Sequence, residues 1–141
     1  MKVADILQAK GSFVYSMTAN ASVFDALKMM AEKNIGALMI IEEDKLLGIF
    51  SERDYARKIV LQGKASHDTL VNEIMTKTVI TVASEDSLEE CMTLMSKNKI
   101  RHLPVVNDNK VAGIISIGDV VMSIIETQKE TITHLQNYIS Q

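Results

Sequence analysis

Two serine–aspartate pairs carry most of the chemistry this chain can offer. Ser51 and Asp54 stand three residues apart, and 65 residues later Ser116 and Asp119 repeat the spacing. At the start of a helix such a pair forms a capping box: the Ser oxygen accepts from the backbone N–H three residues on, and the acid reaches back to the Ser N–H. The same carboxylate is a strong acceptor for charge-assisted hydrogen bonds from an outside donor. Neither pair has a histidine base beside it. His67, His102 and His134 are scattered without metal-ligand spacing. There is no Gly-x-Ser-x-Gly elbow and no P-loop. The residues read as binding or capping groups, so no catalysis and no metal site is expected.

Cations are divided unequally around the two pairs. Arg101 and His102 precede Leu103-Pro104, whereas Gly36 and Ala37 fill the same slot in the first copy. The first copy carries Arg53 inside its Ser-x-x-Asp segment, where the second has Gly118. The planar fork of Arg suits phosphate, so Arg53, Arg101 and His102 are candidate anion contacts. Arg57 and Lys58 suit a solvated helix face. Gly36 and Ala37 are small enough to leave room for a flat apolar group, or to pack tightly.

The elements that position these residues are duplicated. Residues 14–54 slide onto 79–119 with Val14, Ser22, Met30, Ile35, Leu38, Lys45, Gly48, Ile49, Ser51 and Asp54 all preserved. A period this long implies two copies of one supersecondary unit. Each copy reads β-α-β-β-α. Ser22…Asp25 and Ser87…Glu90 open helices as capping boxes, followed by apolar stripes at Val23, Ala26, Leu27, Met30 and at Leu88, Cys91, Met92, Met95. Cys91 on that stripe reads as a buried, inert thiol. Two hairpins follow, turning at 42–45 and 107–110. A second helix closes each unit. Residues 1–63 form the first repeat, 64–70 a linker, 71–126 the second repeat and 127–141 a helical extension. Val3–Leu7 predicts one helical turn resembling Val71–Met75. The extension places Ile132, Leu135 and Ile139 three and four residues apart, which fits a self-association seam as well as a return to the chain's own core.

Composition narrows the class. At 141 residues, 47% hydrophobic and 4% aromatic, the chain can bury a core of aliphatic residues and nine Met. A net charge of −3 gives no general attraction for nucleic acid. No apolar run reaches the roughly 18 residues of a membrane span, and the start has no signal-peptide profile. One cysteine makes no internal disulfide, and the cytoplasm is the expected location.

Two β-α-β-β-α units, each with an apolar-Gly-Ile-x-Ser-x-x-Asp segment, resemble a pair of cystathionine-β-synthase (CBS) domains, or Bateman module. The run Ile100-Arg101-His102-Leu103-Pro104-Val105-Val106 ahead of Gly113–Asp119 is the most diagnostic part. The resemblance spans Val3 to about Glu126 and fits a stand-alone CBS-pair protein. It implies an α+β fold of two units packed by pseudo-twofold symmetry, and a homodimer. It implies a non-enzymatic regulatory module that binds an adenosine-containing ligand (AMP, ADP, ATP or NAD) between its repeats and signals to a partner protein. Ser51, Asp54, Ser116 and Asp119 would then meet the ribose, since a carboxylate can accept both hydrogen bonds of a vicinal diol. Arg53, Arg101 and His102 would lie at the phosphates and Gly36 and Ala37 beside the adenine. The alternative is a dimerisation scaffold whose clefts bind nothing.

Overall fold

The computed structural model describes residues 1–140. Its order is α1 (Val3–Lys10), β1 (Ser16–Met17), α2 (Val23–Lys33), β2 (Ala37–Glu42), β3 (Lys45–Ser51), α3 (Glu52–Asp54), α4 (Val71–Ile74), α5 (Leu88–Asn98), β4 (His102–Asn107), β5 (Lys110–Ser116) and α6 (Ile117–Ile139). After α3 the chain continues as a wider π-helical turn over Tyr55–Val60, where the Leu61 N–H reaches back five residues to the Ala56 carbonyl. The class is α+β, in two small sheets.

The repeat is visible in detail. β2 and β3 pair antiparallel with a register shift at Ile40/Ile41, and β4 and β5 repeat it at Val105/Val106. Both hairpins turn on two residues with positive φ: Glu43 and Asp44 at 51° and 65°, Asp108 and Asn109 at 50° and 64°. That is the primed turn whose twist matches the flanking strands. The copies diverge at the first strand. β1 runs parallel to β2, but its counterpart shrinks to a single bridge from Val82 to Val105.

The halves in space are not the halves in sequence. Val3, Ile6 and Leu7 of α1 are buried with Leu88, Cys91, Leu103, Ile115 and Val120. Val71, Ile74 and Met75 are buried with Val23, Leu38, Ile40, Phe50 and Ile59. Each leading helix therefore completes the core of the other repeat. Backbone bonds fix the exchange, from the Val3 N–H to the Asp86 carbonyl (2.9 Å) and from the Val71 N–H to the Ala21 carbonyl (2.8 Å). Burying each such aliphatic side chain is worth about 1.5–3 kcal/mol, so neither half is complete alone. α1 is also longer than the one turn expected from Val3–Leu7.

Two glycines permit the docking. A Cβ on Gly48 would lie 2.6 Å from the Met75 sulfur and 2.9 Å from the Thr76 carbonyl oxygen, and one on Gly113 would lie 2.7 Å from a Leu7 methyl. Their place in both Gly-Ile-x-Ser segments is explained by this close approach. α6 does not fold back: residues 125–140 are exposed throughout, including Ile132, Leu135 and Ile139.

Candidate functional site

The end of β3 delivers the first Ser-x-x-Asp pair to a cleft between the repeats. Ser51 Oγ accepts from the Asp54 N–H at 3.2 Å, and Asp54 Oδ2 accepts from the Ser51 N–H at 3.0 Å and the Ser51 hydroxyl at 3.1 Å. The second pair makes the same box, with Asp119 Oδ2 2.8 Å from the Ser116 N–H and Ser116 Oγ 3.1 Å from the Asp119 N–H. Both pairs therefore cap helices. Ser22 and Ser87 also accept from the N–H three residues on, but Asp25 and Glu90 do not reach back to the serine N–H, so the boxes expected there are only half made: these serines are simple N-caps.

Beside the first pair lies a cavity of about 440 Å³. The mouth of β2 contributes Gly36 and Ala37, the β3–α3 corner contributes Ser51, Arg53 and Asp54, and the approach to β4 contributes Arg101 and His102. Seven of the nine residues singled out from the sequence thus share one wall system drawn from both repeats. Ser116 and Asp119 do not line it. They occupy the pseudo-symmetric position on the other side. The cavity also uses Thr76, Thr78, Val79 and Ile80 from the segment after α4, together with Glu52. Thr76 and Thr78 carried no sequence signal, because their place depends on the exchange of leading helices.

The charges are partly committed. Asp54 is buried, and its Oδ1 takes the Lys58 ammonium at 3.0 Å and the Thr76 hydroxyl at 3.1 Å. With the two contacts at Oδ2 this fills the roughly four acceptor positions of a carboxylate. Arg53 donates to the Lys99 carbonyl at 2.7 Å, spanning from one repeat to the C-terminal end of α5. That is a favourable place for a cation. Arg101 is exposed and enters no ion pair among the described residues. His102 packs its ring against Gly36, 3.6 Å from where a Cβ would stand. Burial, followed by the neighbouring Lys10 charge, holds its pKa below the ordinary histidine value.

Around the second pair a residue absent from the sequence reading takes over. Lys10, at the end of α1, places its ammonium 2.8 Å from Asp119 Oδ2 and 3.1 Å from the Ile114 carbonyl. Partial burial pushes the Asp119 pKa up, but the Lys10 and Ser116 hydrogen bonds outweigh it and leave the carboxyl below its usual range. Nothing in the sequence set Lys10 apart.

Elsewhere the chemistry is quiet. Cys91 is fully buried, and desolvation raises its pKa to about 11, far from a reactive thiolate. No group of three His, Cys, Asp or Glu among the described residues is placed to hold a metal. No described helix is long and apolar enough to cross a membrane.

Comparison with known proteins agrees with this architecture. The CBS domain family matches residues 4–61 and 71–126. The chain is 40% identical to the Arabidopsis thaliana CBS domain-containing protein CBSX3, mitochondrial, over 97% of this chain and 71% of that protein. It superposes on a protein with CBS domains from Burkholderia ambifaria with a TM-score of 0.86, at 50% identity over 91% of this chain and 96% of the other. It also superposes on the CBS domain pair of protein MJ0100 in complex with 5′-methylthioadenosine and S-adenosyl-L-methionine. There the TM-score is 0.79 at 32% identity, covering 90% of this chain and 98% of that one.

Proposed function

The chain belongs to the CBS-domain family, and on that premise we propose that it is a non-catalytic regulatory module. It binds an adenosine-containing ligand between its repeats and passes the bound state to a partner protein. The observation that carries this reading is the 440 Å³ cavity, a size typical of small-molecule sites, into which both repeats send polar groups. Both ligands named for the MJ0100 pair contain adenosine. Ser51 and Asp54 would hold the ribose, Arg101, His102 and Arg53 the phosphates, and Gly36 and Ala37 the adenine edge. A ribose reaching Asp54 has to displace Thr76 or Lys58 from Oδ1. Ser116 and Asp119 are the second copy of the ribose contact.

The mechanism is linkage. A ligand touching both repeats favours one relative arrangement of the halves, and the partner surface responds to that arrangement. We further propose a homodimer, with the exposed apolar residues of α6 as part of its seam. The reading needs no metal, nucleic acid or membrane, and it places the protein in the cytoplasm, although the plant relative is named as mitochondrial.

Melting of ligand-free protein with AMP, ADP, ATP or NAD tests it. At 100 times the dissociation constant the fold should gain about 2.7 kcal/mol, with GTP giving less. Asp54→Asn should weaken binding by about 1.5–3 kcal/mol, roughly 10- to 150-fold, through loss of a charge-assisted acceptor. If none of the four ligands moves the melt, the scaffold reading replaces this one.

A further inference from the structure

The two repeats end their first long helices alike and support those ends differently. Asn34 after α2 and Lys99 after α5 occupy the same repeat position, and both take the left-handed conformation at φ 54°. The Asn34 and Ile35 N–H groups reach the Met30 carbonyl as the Lys99 and Ile100 N–H groups reach that of Met95. Asparagine adopts that conformation readily and lysine does not. The lysine turn has a support that the asparagine turn lacks. Arg53 Nη1, from the first repeat, donates to the Lys99 carbonyl at 2.7 Å. Gly118, the repeat counterpart of Arg53, has no side chain to send to Asn34. The Arg53 guanidinium also lines the 440 Å³ cavity, and the segment it holds leads directly into Arg101 and His102, which line it too.

We propose that Arg53 is a latch between the repeats, released when a phosphate on the ligand takes its guanidinium from the Lys99 carbonyl, so that the end of α5 reports the phosphate rather than the nucleoside. The inference rests on the nucleotide reading of this cavity and names the regulation of that site. Arg53 and Lys99 are both exposed, so water competes for their bond and its net worth is small. A phosphate offers the planar fork two charged oxygens at once, where the carbonyl offers one neutral oxygen. The exchange therefore runs towards the phosphate. Adenosine alone brings no such acceptor. Without Arg53, Lys99 keeps a conformation costly for lysine on the two bonds to Met95 alone, and the last turn of α5 opens more often. Ile100, the next residue, packs against the second core, so the loosening reaches beyond the cavity.

Hydrogen exchange at the Lys99 and Ile100 amides tests it, read relative to the Asn34 and Ile35 amides so that general stabilisation by a ligand cancels. AMP should speed the Lys99 and Ile100 amides about two- to tenfold on that scale, the worth of one hydrogen bond. Adenosine, at an occupancy matched by calorimetry, should leave them unchanged. Arg53→Gln should show the faster rates with no ligand present. Lys99→Asn, which holds the turn without help, should bind AMP and show little of the rise. Four results overturn the proposal: AMP-bound wild type with unchanged relative rates, an equal rise with adenosine, ligand-free Arg53→Gln with wild-type rates, or a full rise in Lys99→Asn. If calorimetry shows that neither AMP nor adenosine binds, the nucleotide reading falls and takes this proposal with it. That failure is told apart from failure of the latch alone, in which AMP binds and the two amides do not respond.

Discussion

Gly48→Ala puts the exchanged helices to a quantitative test. The added methyl would stand 2.6 Å from the Met75 sulfur, 2.9 Å from its Cγ and 2.9 Å from the Thr76 carbonyl oxygen. The thioether has rotatable bonds and can swing aside at modest cost. The carbonyl cannot, because it accepts from the Ile49 N–H at 3.0 Å, one residue from the substitution. Relief needs a backbone shift of several tenths of an ångström, which strains that bond. Overpacking of this kind costs about 1–3 kcal/mol, and loss of the hydrogen bond adds about 1 kcal/mol. The expected total is about 2–4 kcal/mol. For a domain of this size that is a melting drop of roughly 6–16 °C, at about 3–4 °C per kcal/mol.

Gly113→Ala is the internal control. Its Cβ would meet only the Leu7 side chain, with methyls at 2.7 and 3.3 Å, and a side-chain end yields more cheaply than a carbonyl. About 1–2 kcal/mol is expected. Thermal and urea unfolding of the two variants give the comparison directly. If Gly48→Ala melts within about 0.5 kcal/mol of wild type, or Gly113→Ala costs as much, the packing argument fails; surface substitutions alone produce changes of that size.

Acid should weaken the fold in two stages. His102 and Asp119 both have folded pKa values below their ordinary 6.5 and 3.8, so in each window the unfolded chain holds the extra proton and stability falls as pH falls. The first loss begins near pH 6.5 and should be absent in His102→Gln; the second begins near pH 3.8 and should shrink in Lys10→Met. Urea midpoints at pH 7.5, 5.5 and 2.5 measure both, and an unchanged midpoint between 7.5 and 5.5 in wild type removes the first. Ending the chain after Glu126 removes Ile132, Leu135 and Ile139, all more than half exposed, and among the described residues the side-chain hydrogen bond that ties that stretch to the rest of the fold is a 3.6 Å approach of the Thr127 hydroxyl to the Met1 sulfur. The remaining fold should keep its stability within about 0.5 kcal/mol while the dimer loosens. Light scattering across a dilution series measures it, and an unchanged dissociation constant removes α6 from the interface.

The sequence carried whatever was local. Period-two and period-3.6 patterns placed both hairpins and both long helices, and the Ser-x-x-Asp spacing anticipated the capping boxes at Ser51 and Ser116 atom for atom. Internal repetition aligned Gly36 with Arg101 and Ala37 with His102, the family resemblance marked that slot for a ligand, and the fold brings all four residues to one cavity. The exchange of leading helices was not local and left no such mark. The apolar residues Val3, Ile6 and Leu7 call for burial, but either core could have received them. Thr76 and Lys10 reach the two aspartates only because of that choice. The stripe at Ile132, Leu135 and Ile139 was ambiguous for the same reason, since periodicity names a buried face without naming what buries it.

Capping and ligand binding need not compete for the two aspartates. In both halves Oδ2 faces the Ser N–H, which fixes the carboxylate's orientation. In the first half Oδ1 holds replaceable partners, Thr76 and Lys58. On the proposed reading, a ribose arriving at Asp54 takes over Oδ1 and frees the Thr76 hydroxyl. Thr76 directly follows Met75, which is buried in the first core, and its backbone pairs twice with Ile49. It also leads the chain towards Val82 and the second core. A change of partner at one carboxylate oxygen is therefore felt where the halves are joined, and this is the physical step that linkage requires. Hydrogen exchange at the Thr76 and Ile49 amides, with and without AMP, measures it. Protection there should change several-fold on binding while the β4–β5 amides stay constant. If AMP binds and both amides keep their wild-type rates, the signal leaves the cleft by another path.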